Sequence, residues 1–391
     1  MRLGVAKALV GDEWVDGDVE IRDGHVAAVG VGAPRGSKLA VPGFVDLQVN
    51  GYAGVDFSAP GEDGYERAGA ALLADGVTAF QPTLVTAPVE EMIGSLAAVA
   101  AVVGADAVSG RAPPDGEGDE PGGSATGGRG EPGMPQLVGA HLEGPFLSRD
   151  RPGAHDREAL LAPDPPTLER LLDAGPVTQV TLAPELPGAL ELIDALVARG
   201  VTVSCGHTEA DAPAAHAAFD RGATAVTHLF NAMRRPEHRD PGVVYAALGR
   251  DDVFITLIVD GHHLAEDTVR TAARAAGDRL VLISDAVAAA TAPDGDYTLG
   301  GNVAIHSEGG MVRNAAGSLA GSSLTMLDAV RNLHALGVPL AAALQAATEA
   351  PARMARRPDL GRIEPGARAD LIVLDDSLER DQVLLGGTQQ R

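Results

Sequence analysis

Hydrophobic and polar positions alternate in two different ways along the chain. From Val41 onward, short runs of β-branched and other apolar residues are each followed by an Ala- and Leu-rich stretch with helical spacing. Candidate strands begin near Val41, Val77, Gln136, Val177, Val201, Ala225, Val253 and Leu280. Segments between them, such as "GYERAGAALLADG", "PGALELIDALVARG" and "AEDTVRTAARAAGD", repeat apolar residues three and four apart and finish near Gly or Asp, a helix-stop signal. Eight strand-helix units in succession predict an α/β fold, a TIM-like (β/α)8 barrel.

The two ends have a different texture. "DVEIRDGHVAAVG" near the start and "GRIEPGARADLIVLDD" near the finish alternate apolar and polar residues around tight turns, as half-buried antiparallel strands do. The ends are therefore expected to form one small β-sandwich domain from residues 1–40 and 351–391, with 41–350 as the barrel. "SLTMLDAVRNLHALG" and "LAAALQAATEAPARM" predict two closing helices before the tail. Residues 104–135 depart from both textures: Gly, Pro and acid dominate, so the segment has no face to bury and is expected to be a disordered acidic insertion. It runs from a helix into a strand, which would hang it from the N-terminal face of the barrel.

Charge narrows the function classes. The chain has 30 Lys and Arg against 54 Asp and Glu, a net charge of −24, which disfavours nucleic acid and anionic membranes as partners. Cys205 is the single cysteine, so an intramolecular disulfide is excluded and a reducing, cytoplasmic setting is expected, with Cys205 itself inert core. The start "MRLGVAKALVGDEW" lacks a signal-peptide core, and the uncharged stretch from Met92 to Ala105 is shorter than the ~18 residues that suggest a membrane span.

Four of the β-rich runs end in residues able to bind a metal or move a proton. "VGAHLEGPFL" carries Glu143, "VTVSCGHTEA" ends in His207, "ATAVTHLFNAM" in His228 and "RLVLISDAV" in Asp285. Any one alone reads as a hydrogen-bonded residue at a strand end. In a barrel, however, all strands point the same way, and the four converge on one rim. One Glu and two His leave a divalent ion an open position for water, and a spare Asp suits proton transfer from that water.

In order along the chain, "VPGFVDLQVNG", "HLEGPFL", "GAH", "GHTEA", "THLFNAM", "VDGHH", "ISDA" and "LAGSSLTM" resemble the N-acetylglucosamine-6-phosphate deacetylase family of the amidohydrolase superfamily. The resemblance covers nearly the whole chain apart from the acidic insertion. It implies metal-dependent removal of the N-acetyl group from N-acetyl-D-glucosamine 6-phosphate, in amino-sugar catabolism or cell-wall recycling. By that resemblance Glu143, His207 and His228 are the metal ligands, Asp285 is the general base and then acid, and His155 helps polarise the carbonyl. Asn231, Ala232 and His263 are expected to touch the sugar phosphate. Arg239 is expected to reach the phosphate from the neighbouring subunit of a homodimer.

One departure bears on the metal. Much of the superfamily has His-x-His after the first strand, whereas "DLQVNG" places Gln48 and Asn50 there. Amides are weaker ligands than imidazole, so one divalent ion per subunit is expected, zinc or else Fe(II), with any second ion near Gln48 and Asn50 held weakly. Arg234, Arg235 and His262 read as solvated surface, and His216 as structural. Two rival readings are an amidohydrolase acting on a related N-acyl compound and a catalytically silent barrel scaffold.

Overall fold

The computed structural model describes residues 1–34, 36–103 and 133–390. Eight parallel strands form the barrel: β1 (Phe44–Val49), β2 (Val77–Val85), β3 (Ala140–Glu143), β4 (Val177–Leu182), β5 (Thr202–Cys205), β6 (Ala225–Val226), β7 (Phe254–Leu257) and β8 (Leu280–Leu282). Each pairs in parallel with the next. Past the end of β8, a parallel bridge between Val49 and Ala286 closes the ring, and Asn50 N donates to Ala286 O at 2.7 Å. Helices α1 (Gly64–Ala74), α2 (Val89–Val103), α3 (Pro165–Ala174), α4 (Ala189–Ala198), α5 (Ala212–Asp220), α6 (Gly242–Leu248), α7 (Glu266–Ala276) and α8 (Met326–Ala335) follow β1 to β8 in turn. Local signals set their starts. Asp164 accepts from Thr167 N at 3.0 Å and Asp211 from Ala214 N at 2.9 Å, each with a proline in the first turn of α3 or α5.

The barrel strands are buried on both faces, but the two faces differ in chemistry. On β1, Val45, Leu47 and Val49 join the large apolar core, while Asp46 and Gln48 alternate with them and are equally buried. The interior is thus polar well below the rim, and a hydrogen-bonded row crosses it. His141 contacts Thr83 at 3.1 Å and Thr181 at 2.7 Å, Thr181 contacts Thr227 at 2.7 Å, and Thr227 contacts Ser204 at 2.6 Å. Burial pushes the His141 imidazole down to about 4, so it stands neutral in that row.

The chain ends pair with each other. A six-stranded sheet runs Glu13–Asp16, Lys7–Val10, Leu39–Pro42, Leu371–Leu374, Arg380–Leu385, Thr388–Gln389, with the hairpin Asp18–Arg22/His25–Val31 packed on it. Alternation decides which core each residue serves. Ala40, Leu371 and Val373 face the hairpin's Val19, Ile21 and Val26, while Leu39, Val41, Ile372 and Leu374 join the barrel core.

Four local expectations need correction. Val41 belongs to the terminal sheet, opposite Ile372, and the barrel strand begins at Phe44; burial of Leu39–Pro42 on both faces gives it the same apolar signature as a barrel strand. The strand near Gln136 is two residues long, and β3 proper starts at Ala140. The closing helices number three, because the second breaks into Leu340–Gln345 and Glu349–Met354. Residues 295–314, not expected as strands, form an antiparallel meander of Gly295–Leu299, Val303–Glu308 and Met311–Asn314. Its apolar face, Leu299, Ile305 and Val312, packs on Val85 and Val287, beyond the strands at the C-terminal rim.

Most of the expected acidic insertion, residues 104–132, lies outside the described residues. Its last three residues are described: Pro135 is buried, and Met134 and Pro135 lie against Gly69 of α1.

Candidate active site

The four strand-end residues meet. Glu143 closes β3, His207 and His228 follow β5 and β6 by two residues each, and Asp285 follows β8 by three. His207, His228 and Asp285 all have a left-handed backbone, with φ of 49°, 33° and 49°. For residues with a Cβ this conformation is costly, on the order of 1–3 kcal/mol each, and it clusters where side-chain placement serves a function. Here it turns each side chain inward over the barrel mouth at the point where the strand gives out.

The ligand atoms of Glu143, His207 and His228 lie within 4.8 Å of one another, and all three residues are buried. Glu143 Oε1 is 3.2 Å from His207 Nε2 and 2.9 Å from His228 Nε2, and the two nitrogens are 3.1 Å apart. His207 Nδ1 donates to the Arg151 carbonyl at 3.0 Å, which leaves the Nε2 lone pair facing the carboxylate. Acceptors so close repel unless a cation or a proton sits between them. Zinc–ligand bonds of about 2.0–2.2 Å at tetrahedral angles separate donor atoms by about 3.3–3.6 Å, close to the spacing seen. The donor set therefore fits a divalent ion.

Electrostatics agree with that fit. Burial would raise the Glu143 carboxyl, but the neighbouring imidazoles of His155, His207 and His228 outweigh it and hold it well below its usual range. Burial pushes His207 down to about 4. His228 is raised, because its hydrogen bond to Glu143 and the charges of Glu143 and Asp285 overcome the cost of burial.

Asp285 faces the same centre. Gln48 Nε2 bridges Glu143 Oε1 and Asp285 Oδ1, 3.1 Å from each, and Asn50 Nδ2 donates to the same Asp285 oxygen at 2.8 Å. Burial, and next the Glu143 charge, push the Asp285 carboxyl up to about 6. Gln48 and Asn50 thus present N–H groups to the carboxylates. His155 Nε2 lies 3.6 Å from Glu143 Oε2. His263 donates from Nδ1 to Asp260 Oδ2 at 2.7 Å, and its own N–H reaches Asp260 Oδ1 at 2.9 Å. Burial opposes ionisation of Asp260, yet the contacts with His263 hold its carboxyl down at about 2.

The remaining expected residues follow His228 along the chain. Asn231 spends its amide on the carbonyls of His228 and Leu229, and Ala232, with φ of 48°, is half-buried beside it. Arg239 is exposed and has no hydrogen bond or ion pair among the described residues. Arg234 is not free surface: it is half-buried and forked onto Asp240, with a further bond to the Glu209 carbonyl. His216 and His262 are exposed. Sequence reading gave no role to Thr86, Asp260 or His141, and read Gln48 and Asn50 only as missing ligands. For Asp260 the dipeptide before "HH" was a usable signal, since Asp two residues before a turn commonly caps it.

Comparison with known proteins gives one family. The Amidohydrolase family model matches residues 39–389. The chain is similar to an N-acetylgalactosamine-6-phosphate deacetylase of Escherichia coli O157:H7, 35% identical over 98% of each chain. It is also similar to an N-acetylglucosamine-6-phosphate deacetylase of Mus musculus, 38% identical over 90% of this chain and 83% of that one. Among solved structures, the N-acetyl-D-glucosamine-6-phosphate deacetylase of Mycobacterium smegmatis, as an aspartate-to-alanine variant in complex with N-acetyl-D-glucosamine 6-phosphate, superposes with a TM-score of 0.87. It is 37% identical and is matched over 98% of this chain and 97% of its own. The corresponding enzyme of Thermotoga maritima gives 0.85 at 28% identity, over 100% of this chain and 99% of its own.

Proposed function

The chain belongs to the amidohydrolase family, among its amino-sugar phosphate deacetylases, and on that premise we propose that it hydrolyses N-acetyl-D-glucosamine 6-phosphate to D-glucosamine 6-phosphate and acetate. The observation that carries this reading is the buried Glu143–His207–His228 set with Asp285 facing it across Gln48. A silent scaffold has no use for three residues in costly left-handed turns around a buried cluster of metal-binding atoms. The barrel from Phe44 onward acts as the catalytic unit and the two ends as its support, with the division falling just after the strand Leu39–Pro42.

Glu143, His207 and His228 would hold one divalent ion, for which zinc suits the nitrogen-rich donor set and Fe(II) is the alternative. When bound, such an ion would supply Lewis acidity, bringing the pKa of a water down towards about 7 and drawing electrons from the amide carbonyl. Asp285, desolvated and clamped at Oδ1 by two amides, accepts a proton at Oδ2 and later delivers it to the departing amine. His155 donates from Nε2 to the carbonyl oxygen as negative charge builds there; loss of one such donor typically costs about 3–4 kcal/mol. Asp260 holds His263 toward the sugar, and Asn231 and Ala232 line the phosphate end.

Arg239 meets the phosphate from the second subunit of a homodimer. Its exposure and its lack of a partner among the described residues support this, as does exposed Tyr245 on the helix that follows, which is 52% accessible. Among the described residues no helix is long and apolar enough to cross a membrane, in keeping with a cytoplasmic enzyme acting on a small sugar phosphate. A second reading is the galacto epimer, favoured by the whole-length match to an N-acetylgalactosamine-6-phosphate deacetylase. The test is acetate release from both phosphorylated epimers and the free sugars, after chelation and after re-addition of single metals. No release from either phosphorylated sugar under any metal overturns the reading.

A further inference from the structure

Thr86 stands one residue beyond β2, is buried, and contacts the site at two points. Its hydroxyl donates to the backbone carbonyl of Glu143 at 3.0 Å, and its amide N–H donates to His155 Nδ1 at 3.2 Å. One residue thus grips a member of the metal-binding set and the group opposite it. Gly144 is what makes the first grip possible. A Cβ on Gly144 would overlap Thr86 Oγ1, and its φ of 99° is one that L side chains rarely adopt.

The second grip has a chemical direction. A backbone N–H can only donate, so Nδ1 of His155 has to present its lone pair, and the proton of the neutral ring sits on Nε2. That nitrogen is the one facing Glu143 Oε2, 3.6 Å away, inside the site. The opposite tautomer would set two N–H groups against each other at Thr86 and turn a lone pair toward a carboxylate.

We propose that Thr86 is a positioning residue that ties the Glu143 end of β3 to His155 and fixes His155 as the Nε2–H tautomer. What the two groups then accomplish rests on the deacetylase reading; the tie itself does not. Partners that orient ligands from behind typically change metal affinity 10–100-fold when removed.

Two measurements without sugar test it. The zinc-loaded protein is challenged with a chelator: Thr86→Val, which keeps the amide but lacks the hydroxyl, is expected to lose zinc about 10-fold faster or more, whereas Thr86→Ser holds it as the unaltered protein does. Thr86→Ala replaces Thr86→Val if the latter does not fold. A long-range proton–nitrogen spectrum of histidine-labelled, zinc-loaded protein reads the His155 tautomer, its signal identified by loss in His155→Gln. Nε2–H is the expected form. Protonation on Nδ1, or a hydroxyl-free variant that keeps zinc as Thr86→Ser does, overturns the proposal. Since neither readout involves substrate, a protein inactive on both sugar phosphates would sink the deacetylase reading and leave this one standing.

Discussion

Asn50 Nδ2 lies 2.8 Å from Asp285 Oδ1, joining the exits of the first and last barrel strands across the seam where the ring closes. Gln48 donates to the same oxygen, so Oδ1 is occupied and Oδ2 is left for chemistry. Asp285→Asn keeps the shape and removes the proton acceptor. Its kcat is expected to fall about 10²–10⁴-fold with metal content and substrate affinity retained, as measured by steady-state kinetics, metal analysis and calorimetry. Near-normal turnover would remove Asp285 from its role.

Glu143 sits within reach of both imidazoles, so Glu143→Gln takes away the charge that holds an ion there. A ligand that binds only the folded state stabilises it by about 2.7 kcal/mol at a hundredfold excess over Kd. Adding zinc to chelator-treated wild-type protein is therefore expected to raise Tm by several degrees. The same addition to Glu143→Gln is expected to leave Tm nearly unchanged in thermal scans.

Asp46 gives a pH dependence. Burial is the largest influence on it and raises its carboxyl to about 7 from the ordinary value of 3.8, with Oδ2 lacking a hydrogen-bond partner among the described residues. A carboxyl whose folded pKa lies above its unfolded value contributes stability below about pH 4 and loses that contribution as pH rises through about 7. The full swing is on the order of 4 kcal/mol. Asp46→Asn cannot ionise, so its melting temperature relative to wild type is expected to climb between pH 5 and pH 8. A pH-independent difference between the two would show that Asp46 stays ionised throughout.

Arg239 is exposed and has no hydrogen-bond or ion-pair partner among the described residues of one subunit. Arg239→Ala is expected to raise KM for the phosphorylated sugar about 10- to 100-fold, the worth of one charge-assisted hydrogen bond, while barely changing KM for the free sugar. Equal effects on both would take it away from the phosphate.

Sequence alone determined the number and order of barrel strands and the four residues at their ends. Burial periodicity is a local property: β8 and the residue after it, "LVLI", are an apolar run of strand length whatever surrounds them, and a polar residue where such a run stops marks a rim. Where locality failed, so did the expectation. Leu39–Pro42 carries the same signature as a barrel strand but closes the terminal sheet, and 295–314 alternates in segments too short to distinguish from loop. Tertiary structure alone decided that the two amides at 48 and 50 are partners of Asp285 and that Thr86 meets both Glu143 and His155. It also decided which nitrogen of His207 is free. Those are pairings between residues 56 to 237 positions apart, and only the assembled barrel brings the strand ends near enough to hydrogen-bond.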